Sequence, residues 1–345
     1  MVESTSSAPV YLVIGGGGFL GSHIVDLLSE RHPEASLRIL DLRVPNKLPH
    51  VEYFLGDICD PELVDRACAG VTTVIHTASP HPGSPRAIMR KVNVEGTANV
   101  IRGCQTQGVG NLIYTSSSSV VMPAQGQVVN ADETLPYPSQ FADYYGETKA
   151  QAEELVLKAN GEKALRTCSL RPAGIFGPRD QQMVPKGMAS LKRNAHRFQL
   201  GSNRTLTDFT YVTNVAHAHT LAVEKLPTDD RIAGEAFFIT NDSPVLFWDQ
   251  LRGLWSLVSN DIRPWVVIPD AVAYAIYYLV YYVLALLSLF IPGFKSNAAF
   301  VIKLLLTHRF YNITKAKTLL GYHPIVSLDD GYRRSVEWYL ESQRE

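Results

Sequence analysis

Cysteine is scarce in this 345-residue chain: Cys59, Cys68, Cys104 and Cys168 are its four thiols, and none forms a CxxC pair. That spacing excludes a disulfide framework and a zinc ribbon. It points to reduced, mostly buried thiols in a protein facing the cytosol, with no metal site expected. Excess charge is also missing. Lys and Arg number 32 and Asp and Glu 33, a formal net charge of −1, which argues against nucleic acid as a partner. The opening stretch MVESTSSAPV holds no apolar run, so no secretory signal is expected and it reads as a frayed tail. No internal repeat and no low-complexity linker divides the chain. Apolar residues, by contrast, make up 46% against 19% charged, which excludes a disordered chain and suffices for a large core. The length suits one large α/β domain or two smaller ones.

The first half alternates apolar runs with amphipathic ones. VYLVIG ends in glycines and precedes FLGSHIVDLLSERHP; SLRILDLR and VEYFLGD follow, then a helical PELVDRACAG. VTTVIHTAS and NLIYTSSSS read as a fourth and fifth strand around the helical VNVEGTANVIRGCQTQG, and ALRTCSLRPAGIFG as a sixth. Strands that alternate with helices pair in parallel and build a doubly wound sheet. Beyond about Asp180 the pattern loosens. FTYVTNVAHAHTLAVEKL reads as a short strand entering a helix and EAFFITND as another strand, both expected to rejoin the core sheet. The expected organisation is a dinucleotide-binding domain over 1–180, with 205–245 returning to it. A smaller, mostly helical substrate lobe is expected over 181–345.

The first strand runs into Gly15-x-x-Gly18-x-x-Gly21, which opens a helix with Phe19 and Leu20 in its first turn. Glycines there permit a tight turn and bring backbone N–H groups to a pyrophosphate at the helix N-terminus. Asp41 lies 20 residues after Gly21, at the end of the second strand. A carboxylate in that position accepts hydrogen bonds from ribose hydroxyls and repels a 2′-phosphate, which favours NAD over NADP. Arg43, two positions on, tempers that preference.

YYGETK, residues 144–149, sets Tyr145 and Lys149 at i and i+4, on one helical face. A free tyrosine, with a pKa of about 10, is a poor base at neutral pH. A nearby ammonium and a positively charged nicotinamide favour the phenolate. The pair lies downstream of TSSSS, at the carboxyl edge where open α/β sheets bind ligands. Tyr144, on another face, reads as packing or substrate wall.

GGGGFLG, GDICD, HTAS, VNVEGTANV, YTSSSS, YYGETK, LRPAGIFGPRD and DFTYVTNVAHAH span most of the first 220 residues. Together they resemble the extended short-chain dehydrogenase/reductase superfamily. Their spelling is similar to its 3β-hydroxysteroid dehydrogenase family, which includes the decarboxylating sterol-4α-carboxylate 3-dehydrogenases, above all those of fungi. The resemblance implies a Rossmann-type doubly wound parallel sheet with NAD as cofactor. Gly15, Gly18 and Gly21 would hold the pyrophosphate, Asp41 the adenosine ribose, and Asp57 with Ile58 the adenine. His76, Ala78 and Ser79 would stand beside the nicotinamide ribose, and Pro172 beside the carboxamide. Ser117, rather than its neighbour Ser118, would be the catalytic hydroxyl, with Tyr145 the base and Lys149 both its tuner and a ribose ligand. Asn93 matches a helix asparagine read as structural. Two positions depart from the pattern: Ile14 replaces a threonine whose hydroxyl helps to fix the glycine turn, and Thr213 replaces an acidic residue.

The implied activity is oxidation of a sterol or triterpenoid 3β-hydroxyl with loss of a 4α-carboxylate. The alternatives are a 3β-hydroxysteroid dehydrogenase/Δ5-isomerase, a nucleotide-sugar epimerase and a non-catalytic NAD sensor. The last conflicts with an intact Tyr/Lys pair. The implied location is the endoplasmic-reticulum membrane or a lipid-droplet surface, with the catalytic domain facing the cytosol. Oligomeric state, a homodimer included, is left open.

Residues 271–291, AVAYAIYYLVYYVLALLSLFI, contain no charge over 21 positions, roughly the length that crosses a bilayer core as a helix. Tyr274, Tyr277, Tyr278, Tyr281 and Tyr282 fall on one helical stripe, and Ile276, Leu279, Val280 and Val283 on the other side. A buried core helix would need partners for five hydroxyls. The favoured reading is a helix in or dipping into a membrane, bounded by Pro264, Asp270, Pro292 and Gly293. Lys295, Lys303 and Arg309 would then be available to anionic headgroups.

Overall fold

The computed structural model describes residues 8–43, 47–290 and 298–344. The N-terminal tail, Ile291, Pro292, Gly293 and Lys295 lie outside the described residues.

The apolar runs form seven strands: β1 (Val10–Ile14), β2 (Ser36–Asp41), β3 (Val51–Leu55), β4 (Thr73–His76), β5 (Asn111–Thr115), β6 (Arg166–Pro172) and β7 (Glu235–Ile239). They are nearly continuous in hydrophobicity because the sheet is covered on both faces. Along β1, Tyr11 and Val13 enter one buried cluster and Leu12 and Ile14 the other. The first face is covered by α1 (Phe19–Arg31) and α5 (Val212–Lys225), the second by α2 (Pro61–Cys68), α3 (Thr97–Gln107) and α4 (Tyr144–Lys158). The order is β7-β6-β5-β4-β1-β2-β3, and every pairing is parallel. From β1 the chain winds outward to β3, then crosses to β4 on the other side of β1. A crevice therefore opens beyond the carboxyl ends of β1 and β4, where such sheets take ligands.

One expected strand goes elsewhere. EAFFI takes the sheet edge beside β6, but Thr210–Tyr211 pairs with Ile175–Phe176 in a separate two-stranded ladder. The edge has room for one strand, and the five-residue apolar run occupies it. Thr210 instead clips the ends of β6 and β7, its hydroxyl donating to Ala173 O at 2.6 Å and lying 3.1 Å from Ile239 O.

Around this core lies a second sheet of four short strands, in the order Val245–Leu246, Leu206–Thr207, Arg309–Tyr311, Val128–Ala131. Its last member comes from the first half of the chain, so the two parts interleave. Helices Met183–Lys192, Phe247–Trp255 and Leu328–Ser342 contribute Val184, Met188, Leu254, Tyr332 and Tyr339 to a separate apolar cluster. Helix α6 (Asp270–Phe290) packs along α7 (Ala298–Leu306) through Ala273, Tyr277 and Leu306.

Candidate active site

The glycine turn is built so that no side chain fits in it. Gly15 sits at φ +85°, and a Cβ there would stand 2.7 Å from Ala78 N and Thr77 Oγ1. A Cβ on Gly21 would come within 2.0 Å of Gly15 O. Gly18 precedes α1 and offers no side-chain cap, so first-turn amides of a 13-residue helix have no side-chain acceptor. Leu20 is buried and Phe19 half-buried, both anchoring the turn in the core. Asp41 closes the far side: its carboxylate accepts from Gly17 N at 3.0 Å and Arg43 N at 3.2 Å. The hydroxyl missing at Ile14 is supplied by a residue the sequence did not single out. Thr77 Oγ1 donates to Ile14 O at 3.0 Å and lies 3.3 Å from Gly15 O. Beyond β3, Gly56 N donates to Asp41 O at 3.0 Å. Asp57 there accepts from Cys59 N at 2.9 Å, while the Ile58 side chain is buried against α3.

Helix α4 carries the second half of the site. Asp143 caps it, its carboxylate accepting from Gly146 N at 2.7 Å. Gly146 is required because a Cβ there would lie 2.7 Å from Ser119 O. This close approach presses the helix onto the loop after β5 and brings Tyr145 to Ser117. The Ser117 and Ser79 hydroxyls lie close enough to the Tyr145 phenol to act on its titration. Ser118 is turned inward and buried, its carbonyl accepting from Tyr311. Tyr144 lies on another face, under the Arg86 guanidinium at 4.7 Å.

Ser79 links the phenol to a buried chain. Its hydroxyl donates to Asn93 Oδ1 at 3.0 Å, Asn93 Nδ2 donates to Thr148 Oγ1 at 2.9 Å, and Thr148 Oγ1 donates to Tyr145 O at 3.0 Å. Asn93 stands in a one-turn π-helix, Lys91–Gly96, a wide turn found often at functional sites. Lys149 Nζ is buried, donates to Thr115 O at 2.5 Å and lies 4.1 Å above the Tyr114 ring.

The electrostatics differ from the expected picture in direction. Burial pushes the Tyr145 phenol up to about 12; the Asp143 carboxylate adds to this, and the Ser117 and Ser79 hydroxyls oppose it. Desolvation pushes the Lys149 ammonium down to about 7, and Glu153 opposes it. Burial thus sets the direction for both groups. Glu153, one turn beyond Lys149, is fully buried. It holds Arg171 at 2.7 Å and accepts from Ser169 at 2.6 Å and Tyr137 at 2.7 Å. His76 turns its side chain into the core. Its imidazole is fully buried, bonded to Thr97 Oγ1 at 3.0 Å and packed on Tyr114, with a pKa pushed down to about 3 by burial. The side chain is a core group and does not face the crevice. Pro172, buried at the end of β6, pairs with Ile239.

The tyrosine stripe is not a core helix. Over Asp270–Leu287 the mean hydropathy is 1.6 and 11% of the residues are buried, so α6 is long and apolar enough to cross a membrane. Tyr277 alone of the five is buried; Tyr274 donates to Leu306 O at 2.7 Å, and the other rings stack on one another. Lys303 and Arg309 reverse their expected direction. Both turn inward, Lys303 to Pro123 O and Ala124 O at 2.5 and 2.9 Å, Arg309 to Leu304 O at 3.1 Å. Among the described residues, no group of three His, Cys, Asp or Glu side chains is arranged to hold a metal.

A doubly wound parallel sheet, a side-chain-free glycine turn and a Ser/Tyr/Lys set at its carboxyl edge define an oxidoreductase of the extended short-chain dehydrogenase/reductase class. Residues 12–267 match the model of the 3-beta hydroxysteroid dehydrogenase/isomerase family. The chain belongs to that family. It is 41% identical to a sterol-4-alpha-carboxylate 3-dehydrogenase, decarboxylating, of Candida albicans, over 99% of both chains. It is 40% identical to the protein of the same activity from Saccharomyces cerevisiae, over 96% of this chain and 97% of that one. The fold also matches MoeE5 in complex with UDP-glucuronic acid and NAD, with a TM-score of 0.72 at 23% identity, covering 96% of this chain and 99% of the other.

Proposed function

We propose that this protein oxidises the 3β-hydroxyl of a 4α-carboxysterol to the ketone with NAD, and that the product then loses CO2. The observation that carries the reading is the helix that holds Tyr145 and Lys149 one turn apart, pressed at Gly146 onto the loop that bears Ser117. The family and the printed activities of the fungal relatives support it.

The glycine turn fits a dinucleotide: it is too tight for side chains at Gly15 and Gly21, and the first-turn amides of α1 are left without a side-chain cap. Gly15, Gly18, Gly21 and the first-turn amides of Phe19 and Leu20 would hold it. Asp41 would take the ribose, while Asp57, Ile58, Ala78, Ser79, Lys149 and Pro172 would line the rest. Bound NAD supplies the hydride acceptor and a positive ring. That positive charge acts on the phenol against the effect of burial, as an opposite charge does for any anion.

Tyr145 takes the proton of the 3β-hydroxyl while Ser117 donates a hydrogen bond to the same oxygen. Oxidation leaves a ketone one carbon from the carboxylate-bearing carbon. When the bond to CO2 breaks, its electron pair forms the enolate of C3 and C4. The protonated Tyr145 and Ser117 stabilise that oxygen by hydrogen bonding. The enolate then takes a proton from water at C4 to give the ketone, so no further base is required.

We read α6 as resting on a bilayer. Tyr278, Leu279, Tyr282, Val283, Leu286 and Phe290 are exposed along it, and Trp265 nearby is 74% exposed. Amphipathic rings of this kind favour the headgroup boundary, and a sterol reaches the enzyme from the lipid phase. The same features support a location at the endoplasmic-reticulum membrane or a lipid-droplet surface.

Incubation with NAD and a 3β-hydroxy-4α-carboxysterol should give NADH, the decarboxylated ketone and CO2. Tyr145→Phe should lose about a hundredfold or more of turnover while still binding NAD; near-full turnover in that variant sinks the assignment.

A further inference from the structure

A buried cation, Lys303, and a half-buried one, Arg309, follow the tyrosine helix with no carboxylate in contact. Lys303 is 7% exposed, and its ammonium donates only to the carbonyls of Pro123 and Ala124. Arg309 donates to Leu304 O, and its Nε is buried without a partner. Burial and the proximity of Arg309 hold Lys303 down to about 8, and burial holds Arg309 down to about 10. Neither appears in an ion pair among the described residues, and like charges held close together away from water without a counter-ion are costly. A protein that keeps such a pair has an anion to receive.

The position of the pair indicates which anion. Lys303 grips the segment that follows Ser117, through the short turn Ser118–Val121 to Pro123 and Ala124. Arg309 and Tyr311 share one face of their strand, two positions apart, and Tyr311 bonds to Ser118 O. The Asp143 carboxylate acts electrostatically on both Tyr145 and Lys303, while its hydrogen bond is spent capping α4. Lys303 also lines a cavity of about 180 Å3 together with Gln125, Gln127, Tyr274, Tyr277 and Leu306. Lys303 is thus tied to the segment that follows Ser117 and shares a cavity with the tyrosine helix, with Arg309 close to it. A carboxylate on the carbon next to the reacting carbinol must occupy such a place.

We propose that Lys303 and Arg309 form the anion site for the substrate's 4α-carboxylate and so select carboxylated sterols over neutral ones. The inference rests on the reading of the reaction given above. It also gives a direction to turnover: CO2 loss removes the negative charge, and the neutral ketone is no longer held by the cations.

The test compares KM for a 3β-hydroxy-4α-carboxysterol with KM for the same sterol carrying a neutral 4α-carboxamide. Wild type should favour the carboxylate by about tenfold or more, the scale of a charge-assisted hydrogen bond. In Arg309→Gln and Lys303→Met that ratio should collapse toward one, with Arg309→Lys intermediate. Equal KM values for the two sterols in wild type overturn the proposal without any variant. So does an unchanged ratio in Arg309→Gln. If wild type turns over neither sterol, the reading of the reaction itself fails.

Discussion

Lys149 shows what a buried charge costs at the scale of one residue. An unfolded lysine titrates near 10.4, but here desolvation pushes the ammonium down to about 7. Between those values the unfolded chain binds a proton that the folded chain does not, so Lys149 makes stability rise with pH across that window. The urea midpoint of wild type should therefore climb more between neutral pH and about pH 9 than that of Lys149→Met. Parallel curves for the two proteins would contradict the burial argument. Asp41 governs a different property. Removing its carboxylate in Asp41→Ala should narrow the preference for NAD over NADP, because Arg43 remains to meet a 2′-phosphate; an unchanged ratio of kcat/KM values counts against that role. Tyr145, Lys149, Asp41 and the glycines could be singled out as candidates in the sequence because the proposed chemistry depends on their spacing. Thr77 and the sequestration of His76 were not. Both depend on which way a side chain turns at the end of β4, and no periodicity encodes that.

Gly15, Gly18 and Gly21 join β1 to α1, and Gly146 presses α4 onto the loop after β5. At this scale, the space between elements matters more than any contact. In Gly21→Ala a Cβ would lie 2.0 Å from Gly15 O. The turn must then open, at a cost of about 1–3 kcal/mol by the usual scale of overpacking. Calorimetry should show the variant losing NAD affinity more steeply than it loses melting temperature; intact affinity would refute the cradle. Strand and helix alternation was readable through β6 because buried parallel strands are almost continuously apolar. The pattern failed at Thr210–Tyr211. Two residues of strand carry no period, and the competition with EAFFI for one sheet edge is decided in three dimensions.

The whole molecule combines a doubly wound α/β core with one long exposed apolar helix among the described residues. The uncharged run was plain in the sequence, and so was its tyrosine stripe. That it lies outside the core could be settled only by packing, with 11% of the candidate span buried. The inward turn of Lys303 and Arg309 was likewise hidden, since a cation after an apolar helix looks the same whether it faces headgroups or a cavity. If α6 docks on lipid, the protein should co-sediment with phosphatidylcholine vesicles. Replacing Leu279 and Tyr282 by Lys should release it without loss of NAD binding. Co-sedimentation of the double variant at the wild-type level would remove α6 as the contact.

The most direct measurement follows NADH, ketone and CO2 together when purified enzyme meets a 3β-hydroxy-4α-carboxysterol and NAD. Equal amounts of all three, abolished together in Tyr145→Phe, are the expected result. A 3-ketone that keeps its carboxylate, or turnover of a nucleotide sugar with no net NADH, would contradict it.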